Sequence, residues 1–106
     1  MPLVKRLING YGPTECTVYS TFGILQNDVD AIPLGGPLLN ARLYVLDDFG
    51  QPVPPMVRGN LFIGGQSVAR GYLNRPELTA EKFVPDPFVD ANEQPNARMY
   101  LSLIHI

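Results

Sequence analysis

Hydrophobic positions along the chain come in short runs, with glycine and proline between them. Leu3-Val4 and Leu7-Ile8 predict a short first strand feeding the loop Asn9-Gly10-Tyr11-Gly12-Pro13-Thr14-Glu15. Two glycines and a proline in quick succession are expected to bend that backbone away from both helix and regular strand. Thr17 to Phe22 is β-branched and aromatic; it fits a strand, and a short helix beginning near Thr14 fits as well. Ile32-Pro33-Leu34-Gly35-Gly36-Pro37 excludes a central strand. Arg42 to Leu46 and Asn60 to Gly64 read as strands. The turn Asp47-Asp48-Phe49-Gly50 and the proline-broken stretch Pro52 to Pro55 lie between them. A single short helix is expected from Pro76, a residue suited to a first helical position, with Glu77 in its first turn and Pro85 and Pro87 ending it. Asp90 to Ala97 is a polar loop, and no segment repeats.

Composition narrows the classes. A chain of 106 residues is one small domain or a piece of a larger one. Its 45% hydrophobic content suits a packed core. Ten glycines and eleven prolines favour turns, short strands and shaped loops over long helices. A net charge of −2 without any basic block argues against a nucleic-acid partner. One cysteine can form neither an internal disulfide nor a cysteine zinc cage, so a reducing, cytoplasmic location is expected. No apolar run approaches the roughly 20 residues of a membrane helix. His105 is the only histidine, so no histidine triad can be assembled upstream of it.

Chemistry concentrates in the first loop. Its glycines expose backbone N–H groups that suit an anion, and Thr14 adds a hydroxyl. Glu15 offers a hard oxygen of the kind Mg²⁺ accepts beside phosphate, and Tyr11 a flat face for a planar ring. Together these read as a nucleotide site. The competing reading is a tight turn in which Thr14 only caps the next element, and no Walker sequence is present to decide between them. Cys16 has no base beside it to make it a nucleophile. Asp47-Asp48 belong to a turn, and Glu77 and Glu81 to a solvated helix face.

The segment Asn9 to Glu15 resembles the Asn-x-Tyr-Gly-Pro-Thr-Glu core motif of the adenylation domains of nonribosomal peptide synthetases, within the AMP-forming adenylate ligases. Gly59 to Gly65 followed by Val68 to Phe83 resembles the next core motif, and Ile32 to Asp47 resembles the stretch between, in the same order. The resemblance implies an α/β parent. This chain would be its mainly β portion: residues 1–25 end a nucleotide-binding subdomain, and residues 26–100 form part of a distorted β-barrel subdomain with one short helix. It implies ATP, AMP and Mg²⁺ as cofactors and an amino acid as substrate. The intact enzyme would pass the aminoacyl group to a phosphopantetheine carrier domain beside a condensation domain.

By resemblance, Tyr11 stacks on adenine, Asn9 and the Gly10 backbone face its amino group, Thr14 contacts phosphate, and Glu15 holds Mg²⁺. Gly10, Val18 and Tyr19 fall on positions that line the amino-acid pocket. No catalytic residue falls within the chain, so the fragment alone is expected to be inactive. Arg70 and Arg75 in the second motif are expected to pair with carbonyls or carboxylates, and Gly71 to permit a strained turn. Asn60 stands where the family usually has Glu, and Gly36 where it often has a basic residue. An acyl-CoA synthetase-like ligase and a non-enzymatic relic acting by protein interaction are the alternatives. After Tyr100 the family continues Arg-Thr-Gly-Asp, whereas Leu101 to Ile106 is an in-frame translation of the end of a transposon-type sequencing adapter. That tail, residues 101–106 with His105, is expected to be non-native and without function.

Overall fold

The computed structural model describes residues 6–25, 32–90 and 92–105. Leu3 and Val4, expected to open the first strand, lie outside them. Strand β1 (Ile8–Tyr11) pairs antiparallel with β2 (Thr21–Ile24), which pairs with the two-residue edge strand β3 (Gly36–Pro37). Strands β4 (Ala41–Leu46), β5 (Asn60–Gly65), β6 (Phe83–Pro85) and β7 (Arg98–His105) form a second antiparallel sheet in the order β4-β5-β7-β6. The short helix α1 (Pro76–Lys82) runs directly into β6. The architecture is mainly β, with an open four-stranded sheet of the kind that part of a barrel presents.

The first loop departs from expectation. Asn9, Gly10 and Tyr11 are regular strand, in register with Gly23, Phe22 and Thr21. Gly10 does not bend the chain, because its missing side chain is replaced by a neighbour: a Cβ there would stand 3.0 Å from the ring of Tyr19. The bend comes only at Gly12, where a Cβ would lie 2.2 Å from the Val18 carbonyl oxygen. Between these strands, Thr14–Cys16 makes a single 3₁₀ turn rather than a helix, and the following strand starts at Thr21, not Thr17.

The other elements follow from local chemistry. The side chain of Asp47 accepts from the Phe49 and Gln51 amides at 2.8 and 2.9 Å, and Gly50 takes the left-handed φ of +79° that closes the turn. Pro76 sits at the start of α1, Glu77 in its first turn and Lys82 in its last, each favourable to the helix dipole. Along β5, Leu61 and Ile63 are buried in the core while Asn60 and Phe62, before and between them, stay half-buried. They pack with Cys16, Phe83 and Tyr100, so the core joins the 3₁₀ turn to the four-stranded sheet. Strand β7 continues into the segment expected to be adapter-derived, past an irregularity between Asn60 and Phe62.

Candidate functional site

Strand alternation divides the first motif between two faces. Asn9 and Tyr11 share the face that carries the opposed Gly23 and Thr21, whereas Gly10 lies with Ile8, Phe22 and Ile24 on the other. Tyr11 is half-buried against the core cluster, and its hydroxyl lies 2.7 Å from Ser102 Oγ. The Asn9 amide donates to the Pro33 carbonyl at 2.7 Å. Thr14 is exposed at the start of the 3₁₀ turn.

Behind that turn the chain doubles back tightly. The Tyr19 amide donates to the Thr17 carbonyl at 3.0 Å, closing a γ-turn about Val18, whose φ is +71°. Thr17 is also left-handed, at +58°. For a β-branched residue this conformation costs about 1–3 kcal/mol, and it is retained only where surrounding contacts enforce it. Ser20 supplies one by donating its amide to the Tyr11 carbonyl at 2.8 Å. The Tyr19 ring lies over Gly10, while the Val18 backbone closes on Gly12, and both Val18 and Tyr19 are more than half exposed.

Glu15 is the most heavily engaged member of the motif. Its Oε2 accepts from the Tyr100 hydroxyl at 2.8 Å and from the Tyr72 hydroxyl in a short hydrogen bond. Its carbonyl accepts from the Ala69 amide at 2.8 Å, and next to it Thr17 Oγ1 donates to the Ser67 carbonyl at 2.7 Å. Burial works against the charged carboxylate, but the two phenols and its own backbone outweigh that effect and hold its pKa below the ordinary value. Burial raises the Tyr72 and Tyr100 hydroxyls, and the neighbouring Glu15 raises them further, so both remain protonated donors. Cys16, fully buried, has its thiol pushed up to about 12 by burial and by Glu15, which removes it as a nucleophile.

The partnership of Tyr72 and Tyr100 with Glu15 was missed in the sequence, where these residues lie 57 and 85 positions away. The only hint was that Tyr72 lies inside the second motif and Tyr100 directly before the point where the family continues Arg-Thr-Gly-Asp. Gly71 behaves as expected: its φ is +145°, and a Cβ there would meet Thr79 Cγ2 at 2.3 Å. Arg70 and Arg75 do not. Neither side chain has a hydrogen bond or ion pair among the described residues; both residues are exposed at the rim of a groove of about 490 Å³ between residues 70 and 79. The buried carboxylate that finds a cation is Asp86, 3.6 Å from Arg42 Nε and bonded to Tyr44. Asn60 donates to Asp48 at 3.2 Å, where a glutamate would set two acids together. Gly36 faces open space.

A family profile described as "AMP-binding enzyme" matches residues 1–73. Tyrocidine synthase 3 of Brevibacillus parabrevis is 56% identical over 81 residues, covering 76% of this chain and 1% of that protein. Malpinin synthetase of Mortierella alpina is 50% identical over 100 residues, covering 89% of this chain and again 1% of the relative. Among solved structures, a four-domain nonribosomal peptide synthetase bound to AMP and glycine matches with a TM-score of 0.80 and 44% identity, over 94% of this chain and 7% of that one. The Klebsiella oxytoca NpsA N-terminal subdomain, in complex with 3-hydroxybenzoyl-AMSN, matches with a TM-score of 0.81 and 31% identity, over 94% of this chain and 24% of that one. The chain thus spans about one hundredth of the length of these curated relatives. It belongs to the AMP-binding enzyme family and, within it, to the adenylation domains of nonribosomal peptide synthetases.

Proposed function

We propose that this chain forms one wall of an adenylation site that joins an amino acid to ATP, giving aminoacyl-AMP and pyrophosphate. The intact synthetase then transfers the aminoacyl group to a phosphopantetheine thiol on a carrier domain, beside a condensation domain, in the cytoplasm. The observation that carries this reading is the ionised Glu15 carboxylate, fixed at the end of the Asn9–Glu15 motif by two phenols. Similarity to a synthetase bound to AMP and glycine favours an aminoacyl substrate over the acyl-CoA ligase alternative.

In this reading Tyr11 stacks on the adenine, Asn9 and the Gly10 backbone face its amino group, and Thr14 contacts phosphate. Gly10, Val18 and Tyr19 line the amino-acid pocket, where the γ-turn holds Val18 outward. Glu15 fits a Mg²⁺ role: its acid is held ionised, both phenols reach the same oxygen, and no side chain among the described residues donates to Oε1. The ion would be held by this one carboxylate together with nucleotide phosphates. When bound, Mg²⁺ neutralises phosphate charge as the carboxylate attacks. The protein's own share is to orient: a fixed carboxylate and a rigid turn place the nucleotide without reorganisation.

Residues 1–25 would close the nucleotide-binding subdomain and residues 26–100 belong to the next one. Residues 101–106 would be non-native even though residues 101–105 extend β7, and a natural gene continuing Arg-Thr-Gly-Asp after Tyr100 would establish that. The activity is tested by amino-acid-dependent ATP–pyrophosphate exchange in the intact synthetase that carries this segment. Glu15→Gln is expected to lower exchange by about 10–100-fold, and the isolated 106-residue chain to show none. Undiminished exchange by the variant, or exchange by the chain alone, would overturn the assignment.

A further inference from the structure

We infer that Tyr72 and Tyr100 are positioning residues of the adenylation site, whose phenols hold one oxygen of Glu15 and leave the other for a nucleotide-bound cation. The inference rests on the proposed role of Glu15 and extends it to a second motif that carries no chemistry of its own.

Three features support it. Both hydroxyls converge on Oε2, and among the described residues no side chain donates to Oε1. The donors are also uncharged at neutral pH. An arginine or lysine in their place would fix the carboxylate equally well but cancel the negative charge a cation needs; a phenol fixes it and leaves the charge intact. Finally, the phenols are themselves held. Tyr100 is 3% exposed, and its ring lies 5.3 Å from that of Phe83, which in turn meets Tyr72 edge-on at 5.4 Å. The Tyr72 amide donates to Thr79 Oγ1 at 2.8 Å, and the Ala69 amide ties the same stretch to the Glu15 carbonyl. The segment between Ala69 and Phe83 therefore acts as a brace. It removes the rotamer freedom of a glutamate side chain before ligand arrives, a freedom whose loss would otherwise weaken binding.

The test uses Tyr72→Phe, Tyr100→Phe, Glu15→Gln and, as a control, Tyr44→Phe in the intact synthetase that carries this segment. Tyr44→Phe also deletes a half-buried phenolic hydrogen bond, to Asp86, but lies away from Glu15. Binding of Mn²⁺ in the presence of ATP is titrated by electron paramagnetic resonance, and the Mg²⁺ dependence of pyrophosphate exchange is measured alongside. Each Phe variant at 72 and 100 is expected to weaken Mn²⁺ binding on the order of tenfold. The Mg²⁺ concentration for half-maximal exchange should rise in parallel, with kcat at saturating Mg²⁺ near wild type and Tyr44→Phe unchanged. Phe variants that bind Mn²⁺ as tightly as Tyr44→Phe overturn the positioning role. If Glu15→Gln still weakens binding in that case, its own role survives; if Glu15→Gln binds normally, both fail together. Tyr72 is half-buried, so Tyr72→Phe supplies the result should Tyr100→Phe not fold.

Discussion

Cys16, Glu15, Tyr72 and Tyr100 form a group of weak acids held in opposite protonation states. The thiol sits against the core with its pKa pushed from the ordinary 9.0 to about 12, first by burial and then by the Glu15 charge. Tyr72 and Tyr100 are raised above their ordinary 10.0, chiefly by burial. Groups whose folded pKa is raised stabilise the fold fully below their unfolded pKa, and that contribution is lost as pH rises. Glu15, lowered, has the reverse effect: its contribution is present above the ordinary 4.5 and fades as pH falls through the folded value. Thermal melting of the synthetase segment is therefore expected to weaken from about pH 9 upward. Tyr100→Phe should flatten that alkaline decline, and Cys16 should resist thiol reagents at pH 8 until urea exposes it. Rapid native labelling at pH 8 would contradict the burial. Asn9, Gly10, Tyr11, Thr14 and Glu15 were legible as candidate chemistry because they are contiguous. What Glu15 touches was not, since its partners arrive from 57 and 85 positions away through packing no local pattern encodes.

Elements whose limits depend on local chemistry were readable: the Asp47–Gly50 turn, the strand before it, and α1 with Pro76 at its start. Strand β1 was not, because glycine's weak strand preference is overridden by the Tyr19 ring lying over Gly10 and by pairing with β2. Nor did sequence show what α1 is for. It buries no residue, and it meets the rest of the site through Thr79, whose hydroxyl accepts from the Tyr72 amide and whose methyl fills the space a Gly71 side chain would need. Two substitutions separate those roles. Thr79→Val keeps the shape and leaves the amide unpaired, an expected loss of about 1–3 kcal/mol in urea unfolding. Gly71→Ala forces Thr79 aside at a φ of +145°, and should cost at least as much while also releasing Tyr72. A Gly71→Ala chain as stable as wild type would show that the helix does not brace the tyrosine.

The whole molecule does not close on itself. Its radius of gyration is 15.4 Å and its extents 48 × 31 × 26 Å, looser than the ~13 Å expected of a compact domain of this length. The reason lies in the three-stranded sheet. Ile8, Phe22 and Ile24 share one face and are 55, 45 and 47% exposed, with the half-exposed ring of Tyr19 laid over Gly10 between them. Strands β1 and β3 are both edges. An exposed apolar face next to an open strand edge drives self-association. The chain covers only 24% of the NpsA subdomain it matches, so most of a relative's fold lies beyond it and can cover such a face. In isolation the chain is expected to sediment as oligomers. Placing a lysine and a glutamate diagonally across the ladder, with Ile8→Lys and Phe22→Glu, should return it to monomer without changing its far-ultraviolet spectrum. The same pair in the intact synthetase should have the opposite effect, lowering exchange activity, if the remainder of the domain covers the face there. An isolated chain that is already monomeric, or a doubly substituted synthetase with normal exchange, would mean that this face is solvent-exposed in the parent. The amino-acid pocket that Gly10 and Tyr19 are proposed to line would then have no floor on that side.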